Sequence, residues 1–261
     1  PVPASSTVVP LTIPLGKTEP MRALITRPRE DAEELAQELR RRGLIPVLAP
    51  LLTIRNRAGV VPQLDGVQAL LLTSANGARA LAAATGNREL PVYAVGDATA
   101  RAASGLGFDA VENAGGDVED LARLVAENLD PKLGALYHAA GTRLAGDLAG
   151  RLREDGFTVL REALYEAKAV TELPAPAKEG LAEGSLDLAM FFSPRTAAAF
   201  VTLVTEAALA SACELVAAYA LSPAVRDALS GLPWRAIGIA ARPDQESLLA
   251  AVDADYSGAQ L

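Results

Sequence analysis

The side chains of this chain that could do chemistry gather at six turns: Thr26-Arg27, Ser74 to Gly77, Gly96 to Thr99, Gly141 to Arg143, Ser193 to Thr196 and Ser222 to Ala224. Each follows an apolar run and opens a helical pattern, so each reads as a strand passing into a helix. A helix N-terminus leaves backbone N–H groups without partners and carries the positive end of the helix dipole, which suits it to carboxylates or phosphates. Ser, Asn and Gly are also ordinary helix caps, and at any single turn capping accounts for them without a ligand. Taken together, with three arginines beside them, the turns offer an anion site built more from amides and hydroxyls than from basic charge. The candidate contacts are Thr26, Arg27, Ser74, Asn76, Gly96, Thr99, Gly141, Arg143, Ser193, Arg195 and Ser222.

Other chemistries are excluded by what the chain lacks. One cysteine, Cys213, and one histidine, His138, leave no disulfide framework, no Cys/His zinc site and no usual nucleophile–histidine pair, and they point to a reducing compartment. The Gly105-Leu106-Gly107 pair follows a helix, the wrong context for a dinucleotide loop, and the full phosphate-loop pattern G-x-x-x-x-G-K-[ST] does not occur. His138 reads as a strand residue and Cys213 as packing. Acidic side chains such as Glu30, Asp31, Glu33, Glu34 and Glu38 share a solvated helix face and form no acid/base pair. Tyr165, at the end of a strand in the middle of the chain, has two readings: a core ring with its hydroxyl at the edge, or a site residue. Composition by itself favours the first.

The elements that would hold these turns repeat. An apolar strand at Ala23 to Thr26, a helix with Leu35 and Leu39 on one face, a stop at Gly43 and a strand at Pro46 to Ile54 recur at Ala135 to His138, Leu148, Leu152, Gly156 and Thr158 to Ala167. Leu70 to Gly77 is matched by Ala189 to Thr196, and Tyr93 to Thr99 by Tyr219 to Val225; closing helices follow at Val118 to Leu129 and Gln245 to Val252. Three blocks in one order make a duplicated α/β fold. A chain of 261 residues has room for two such lobes, and a composition 50% hydrophobic but only 4% aromatic suits helix-covered parallel sheets. A net charge of −8 argues against a nucleic-acid or anionic-membrane partner, and no apolar run approaches the roughly 20 residues that span a bilayer. Residues 1–20, rich in Pro, Ser and Thr, read as a flexible extension ahead of a start at Met21, without the features of a signal peptide.

Leu24-Ile25-Thr26-Arg27-Pro28, Leu72-Thr73-Ser74-Ala75-Asn76-Gly77, Val95-Gly96-Asp97-Ala98-Thr99-Ala100, the segment from Gly141 through Gly156 to Tyr165, and Phe192-Ser193-Pro194 together resemble the uroporphyrinogen-III synthase family, over nearly the whole chain after Met21. The resemblance implies two similar flavodoxin-like lobes with parallel sheets, a two-stranded linker and an active-site cleft between the lobes. One lobe would hold residues 22–48 and 172–253 and the other residues 56–160, with linker strands at 49–55 and 161–171. It implies a cytoplasmic monomer that cyclises hydroxymethylbilane to uroporphyrinogen III, inverting the last ring and losing water, with neither metal nor organic cofactor. It also implies a transient contact with the preceding enzyme of the pathway. Tyr165 becomes the candidate catalytic residue, donating a hydrogen bond or proton to the leaving hydroxyl. One departure stands out: where the family repeats the turn threonine of Thr99 in the second lobe, this chain has Val225, with Ser222 in place of the turn glycine. The competing reading is a hinged two-lobe protein that binds a small anionic ligand without chemistry.

Overall fold

The computed structural model describes residues 20–143 and 146–257; apart from Pro20, the extension read over residues 1–20 lies outside them. The chain begins with β1 (Arg22–Ile25), α1 (Arg29–Arg41), β2 (Ile45–Leu48) and β3 (Leu52–Asn56). It continues through β4 (Val67–Leu72), α2 (Ala75–Ala84), β5 (Val92–Ala94), α3 (Asp97–Gly105), β6 (Val111–Asn113), α4 (Val118–Asn128), β7 (Ala135–Gly141), α5 (Leu148–Glu154) and β8 (Val159–Ala169). The last part holds α6 (Ala175–Ala182), β9 (Leu188–Phe191), α7 (Pro194–Glu206), a 3₁₀ turn (Ala210–Leu215), β10 (Ala217–Ala220), α8 (Pro223–Leu229), β11 (Ala236–Ile239) and α9 (Gln245–Ser257).

Local chemistry accounts for most of these bounds. In α1 the spacing of Ala32, Leu35, Ala36 and Leu39 buries one stripe, and Gly43 ends the helix at φ 75°, where a side chain would be strained. Its counterpart α5 buries Leu148 and Leu152 and stops before Gly156 at φ 89°. Burying a leucine fully contributes about 2–3 kcal/mol, and the short helices depend on such contacts more than on propensity. The stretch 46–54, expected as one strand, is two. Pro50 has no N–H to give a sheet, so the chain leaves β1 after Ala49 and Leu51 donate to the carbonyls of Ile25 and Thr26, and then turns into β3.

The chain forms two units, residues 20–53 with 169–257, and residues 54–168, and it passes between them in β3 and β8. The sheet of the first unit runs β11-β10-β9-β1-β2, all parallel. Counted along that unit it has the flavodoxin-like order 2-1-3-4-5. Helices cover both faces: Leu24, Phe191 and Phe200 lie in one core, and Ile25, Leu35, Leu39 and Met190 in the other. Cys213 is buried in the first of these, where loss of hydration pushes its thiol up to about 12 and leaves it inert.

In the second unit the order is β3-β8-β7-β4-β5-β6, parallel from β8 to β6. Only β3 runs the other way: Arg57 N–H donates to Leu164 C=O and Val170 N–H to Leu51 C=O, partners that advance in opposite directions. Matched by the sequence repeat, β6-β5-β4-β7-β8 corresponds strand for strand to β11-β10-β9-β1-β2, with the chain entering at a different strand. Leu70, Leu72, Leu81 and Tyr137 fill one face and Leu71, Leu121, Leu136 and Leu152 the other. With two complete cores of its own, a fragment of residues 54–168 should unfold in urea as a single cooperative transition; a broad, non-cooperative one would show that the rest of the chain is needed.

Candidate active site

Strand order in the second unit reverses between β4 and β7, and open parallel sheets bind ligands beyond the carboxyl ends of the strands at such a point. The ends that meet there are Thr73-Ser74, following β4, and Gly141, closing β7. They line a cavity of about 310 Å³ together with Val95, Asp117, Val118, Arg143 and Tyr165.

Ser74 caps α2, its Oγ accepting the Gly77 N–H at 3.0 Å, and lies 2.8 Å from the Tyr165 Oη. A serine hydroxyl has one proton and two lone pairs. With one lone pair on the helix, it can donate to Tyr165, whose own proton is then free for the pocket. Two close approaches fix this geometry. A Cβ on Gly77 would stand 2.7 Å from the Ala139 carbonyl oxygen, so only glycine lets α2 pack this tightly on β7. A Cβ on Gly141 would stand 2.8 Å from the Tyr165 ring, whose hydroxyl end packs against the bare backbone. The register brings the two together: Ala140 pairs with Ala163 but Gly141 with Tyr165, an extra residue in β8 at the end of the ladder. Thr142 N–H donates to the Tyr165 carbonyl at 3.0 Å, and an Arg161 guanidinium N–H to the Gly141 carbonyl at 3.0 Å.

The electrostatics of the pocket are mixed. Arg143 is exposed, with no ion-pair partner among the described residues. Asp117 has its carboxylate spent on capping α4, where it accepts from the amides of Glu119 and Asp120. Behind the wall, His138 is 2% exposed and places Nε2 3.2 Å from the Thr73 hydroxyl; burial, and then the Arg161 charge, push its pKa down to about 4.

Of the candidates in this unit, Ser74, Gly141, Arg143 and Tyr165 share the cavity, and Asn76, Gly96 and Thr99 do not line it. The Asn76 side chain accepts from Arg79 at 2.8 Å. Thr99 is the third residue of α3 and 4% exposed; its counterpart Val225, third in α8, is 1% exposed, so the Thr/Val difference falls on two inward-facing positions. In the first unit Thr26 and Arg27 follow β1, Ser193 and Arg195 follow β9, and Ser222 follows β10. Thr26 is buried and donates to the Met190 carbonyl at 2.9 Å, tying β1 to β9. Arg27 donates to Gln245 Oε1 at 2.8 Å with its guanidinium 4.4 Å above the Phe192 ring. Ser193 caps α7, Ser222 caps α8, and Arg195 lies in the first turn of α7. Thr73, Val95, Asp117 and Val118 were not singled out from the sequence. Only Asp117 carries a local signal, as an Asp before a helix with Asp120 completing a capping box.

The glycines give a test. Gly141→Ala should displace the Tyr165 ring and lower the initial rate at least about tenfold, whereas Gly96→Ala should be near neutral, because a Cβ there meets nothing closer than 3.8 Å. Equal effects of the two would contradict this account of the pocket wall.

The family model of uroporphyrinogen-III synthase HemD matches residues 33–250. The chain belongs to the uroporphyrinogen-III synthase family. Among solved structures it is similar to the uroporphyrinogen-III synthetase of Helicobacter pylori 26695, with 17% identity over 89% of this chain and 98% of that one and a TM-score of 0.61, a likeness of fold. A mutant uroporphyrinogen III synthase of the extremely thermophilic bacterium Thermus thermophilus shares 21% identity over 91% of this chain and 99% of that one, with a TM-score of 0.49. No curated protein matches the chain. Membership of the uroporphyrinogen-III synthase family stands against the reading as a binding protein without chemistry. Among the described residues, no helix is long and apolar enough to cross a membrane.

Proposed function

We propose that the cavity at the ends of β4 and β7 takes part of the substrate hydroxymethylbilane, and that Tyr165 assists departure of its hydroxyl. The reaction is that of the family: the chain is a cyclising lyase of haem biosynthesis, converting hydroxymethylbilane to uroporphyrinogen III with loss of water and inversion of ring D. The terminal pyrrole is electron-rich and pushes out the hydroxyl of its own hydroxymethyl group. A hydrogen bond or proton from the tyrosine lets that group leave as water, and the ring closes through a spirocyclic intermediate. What the protein must supply is mainly the fold of the bound chain and the placement of its ends.

One observation supports the assignment to Tyr165 above all: its hydroxyl lies 2.8 Å from the Ser74 cap, and both residues line the cavity at the reversal of strand order. The substrate carries eight carboxylates, for which Arg143, Arg27, Arg195 and the helix amides behind Ser193, Ser222, Gly96 and Asn76 are suitable partners. Thr26 and Thr99 support these turns from beneath. Because hydroxymethylbilane also closes unaided to the uninverted isomer, direct hand-over from the enzyme that makes it would limit that loss. We take the protein to act as a monomer in the cytoplasm.

The test is to incubate the protein with freshly made hydroxymethylbilane and to separate the product isomers. Type III product formed faster than spontaneous closure is expected. Type I product alone, at the spontaneous rate, would reject the activity.

A further inference from the structure

The one histidine of the chain stands where strand packing gives no reason for a polar side chain. His138 lies in β7, paired in the sheet with Leu71 of β4 and Arg161 of β8. Its Nε2 is 3.2 Å from the Thr73 Oγ1, and its buried Nδ1 has no hydrogen-bond partner among the described residues. Thr73 is half-buried and forms part of the cavity wall.

A neutral imidazole has one N–H and one lone pair, so one of them must face the interior unpaired. Buried N–H groups without partners are rarer than buried acceptors without donors, which places the proton on Nε2 and the bare lone pair on Nδ1. Nε2–H then donates to Thr73. With a lone pair of its oxygen occupied from behind, the threonine turns its own proton away from the histidine and toward the cavity.

We propose that His138 is a positioning residue that fixes the Thr73 hydroxyl as a hydrogen-bond donor into the pocket, for a carboxylate of the bound substrate. The inference rests on the assignment of this pocket to the substrate. Burial keeps the ring neutral down to about pH 4, and the charged group paired beside it, Arg161, acts in the same direction. The arrangement is therefore constant over the neutral range.

Because there is a single histidine, ¹⁵N NMR of the labelled wild-type protein reads its tautomer without ambiguity. Nε2 should resonate as a pyrrole-type and Nδ1 as a pyridine-type nitrogen from pH 5 to 8; the reverse assignment would overturn the proposal. In steady-state assays Thr73→Val and His138→Leu should each raise KM for hydroxymethylbilane about tenfold, the loss of one hydrogen bond to a charged group. Their kcat should stay within about threefold of wild type. The double variant should be no worse than either single one, and His138→Gln, which keeps an N–H at the right reach, should recover KM. Multiplying effects in the double variant, or an unchanged KM in His138→Leu, would overturn it. If Tyr165→Phe and Gly141→Ala also left the kinetics unchanged, the substrate would not occupy this pocket and the carboxylate role would fall. The NMR tautomer would still decide the His138–Thr73 contact.

Discussion

Tyr165→Phe should slow formation of uroporphyrinogen III by roughly 10- to 10⁴-fold, the range for losing a positioned proton donor, while the isomer made on the protein remains type III. The ring stays against Gly141, where a Cβ would come within 2.8 Å of it, so the cavity wall keeps its shape and only the hydroxyl is lost. Ser74 keeps its cap, because the Gly77 N–H bond does not involve Tyr165. Binding and folding of the substrate should survive, and KM should move far less than kcat. Initial rates and isomer ratios for wild type and variant, corrected for spontaneous closure, decide the matter. A wild-type rate would remove Tyr165 from the mechanism and leave it a packing residue.

Acid should destabilise the protein through His138 by about 3 kcal/mol as the pH falls from 6.5 to about 4. The folded state holds this histidine's pKa at about 4 against 6.5 when unfolded, so in that window the unfolded chain takes up a proton that the folded one refuses. Stability is full above pH 6.5 and falls as the pH drops through the window. Carboxylates contribute to the acid limb as well, so the comparison to make is between wild type and His138→Leu in urea at pH 7 and pH 4. The variant should lose about 3 kcal/mol less than wild type between the two. An equal loss in both would mean that His138 takes up a proton readily in the folded protein.

Whatever depends on neighbours within a turn or two of chain was legible in the sequence. Ser74, Ser193 and Ser222 cap helices because a hydroxyl before a helix finds the amide three residues on, and Gly43 and Gly156 end helices because only glycine is unstrained at positive φ. The duplicated strand-helix pattern and the family resemblance were readable for the same reason, since both are carried by short motifs in order. Which turns meet in one cavity depended on the tertiary structure. The core strands are apolar on both faces, so their pattern carries no record of which strand lies beside which, and the reversal between β4 and β7 follows only from how helices cover the whole sheet. The Ser74–Tyr165 contact joins residues 91 apart and the Thr73–His138 contact residues 65 apart, and the first also needs an extra residue in β8 that no local signal announces. Thr26 and Thr99 make the same point in reverse: a hydroxyl at a turn could face a ligand or the core, and burial against the sheet placed both inside.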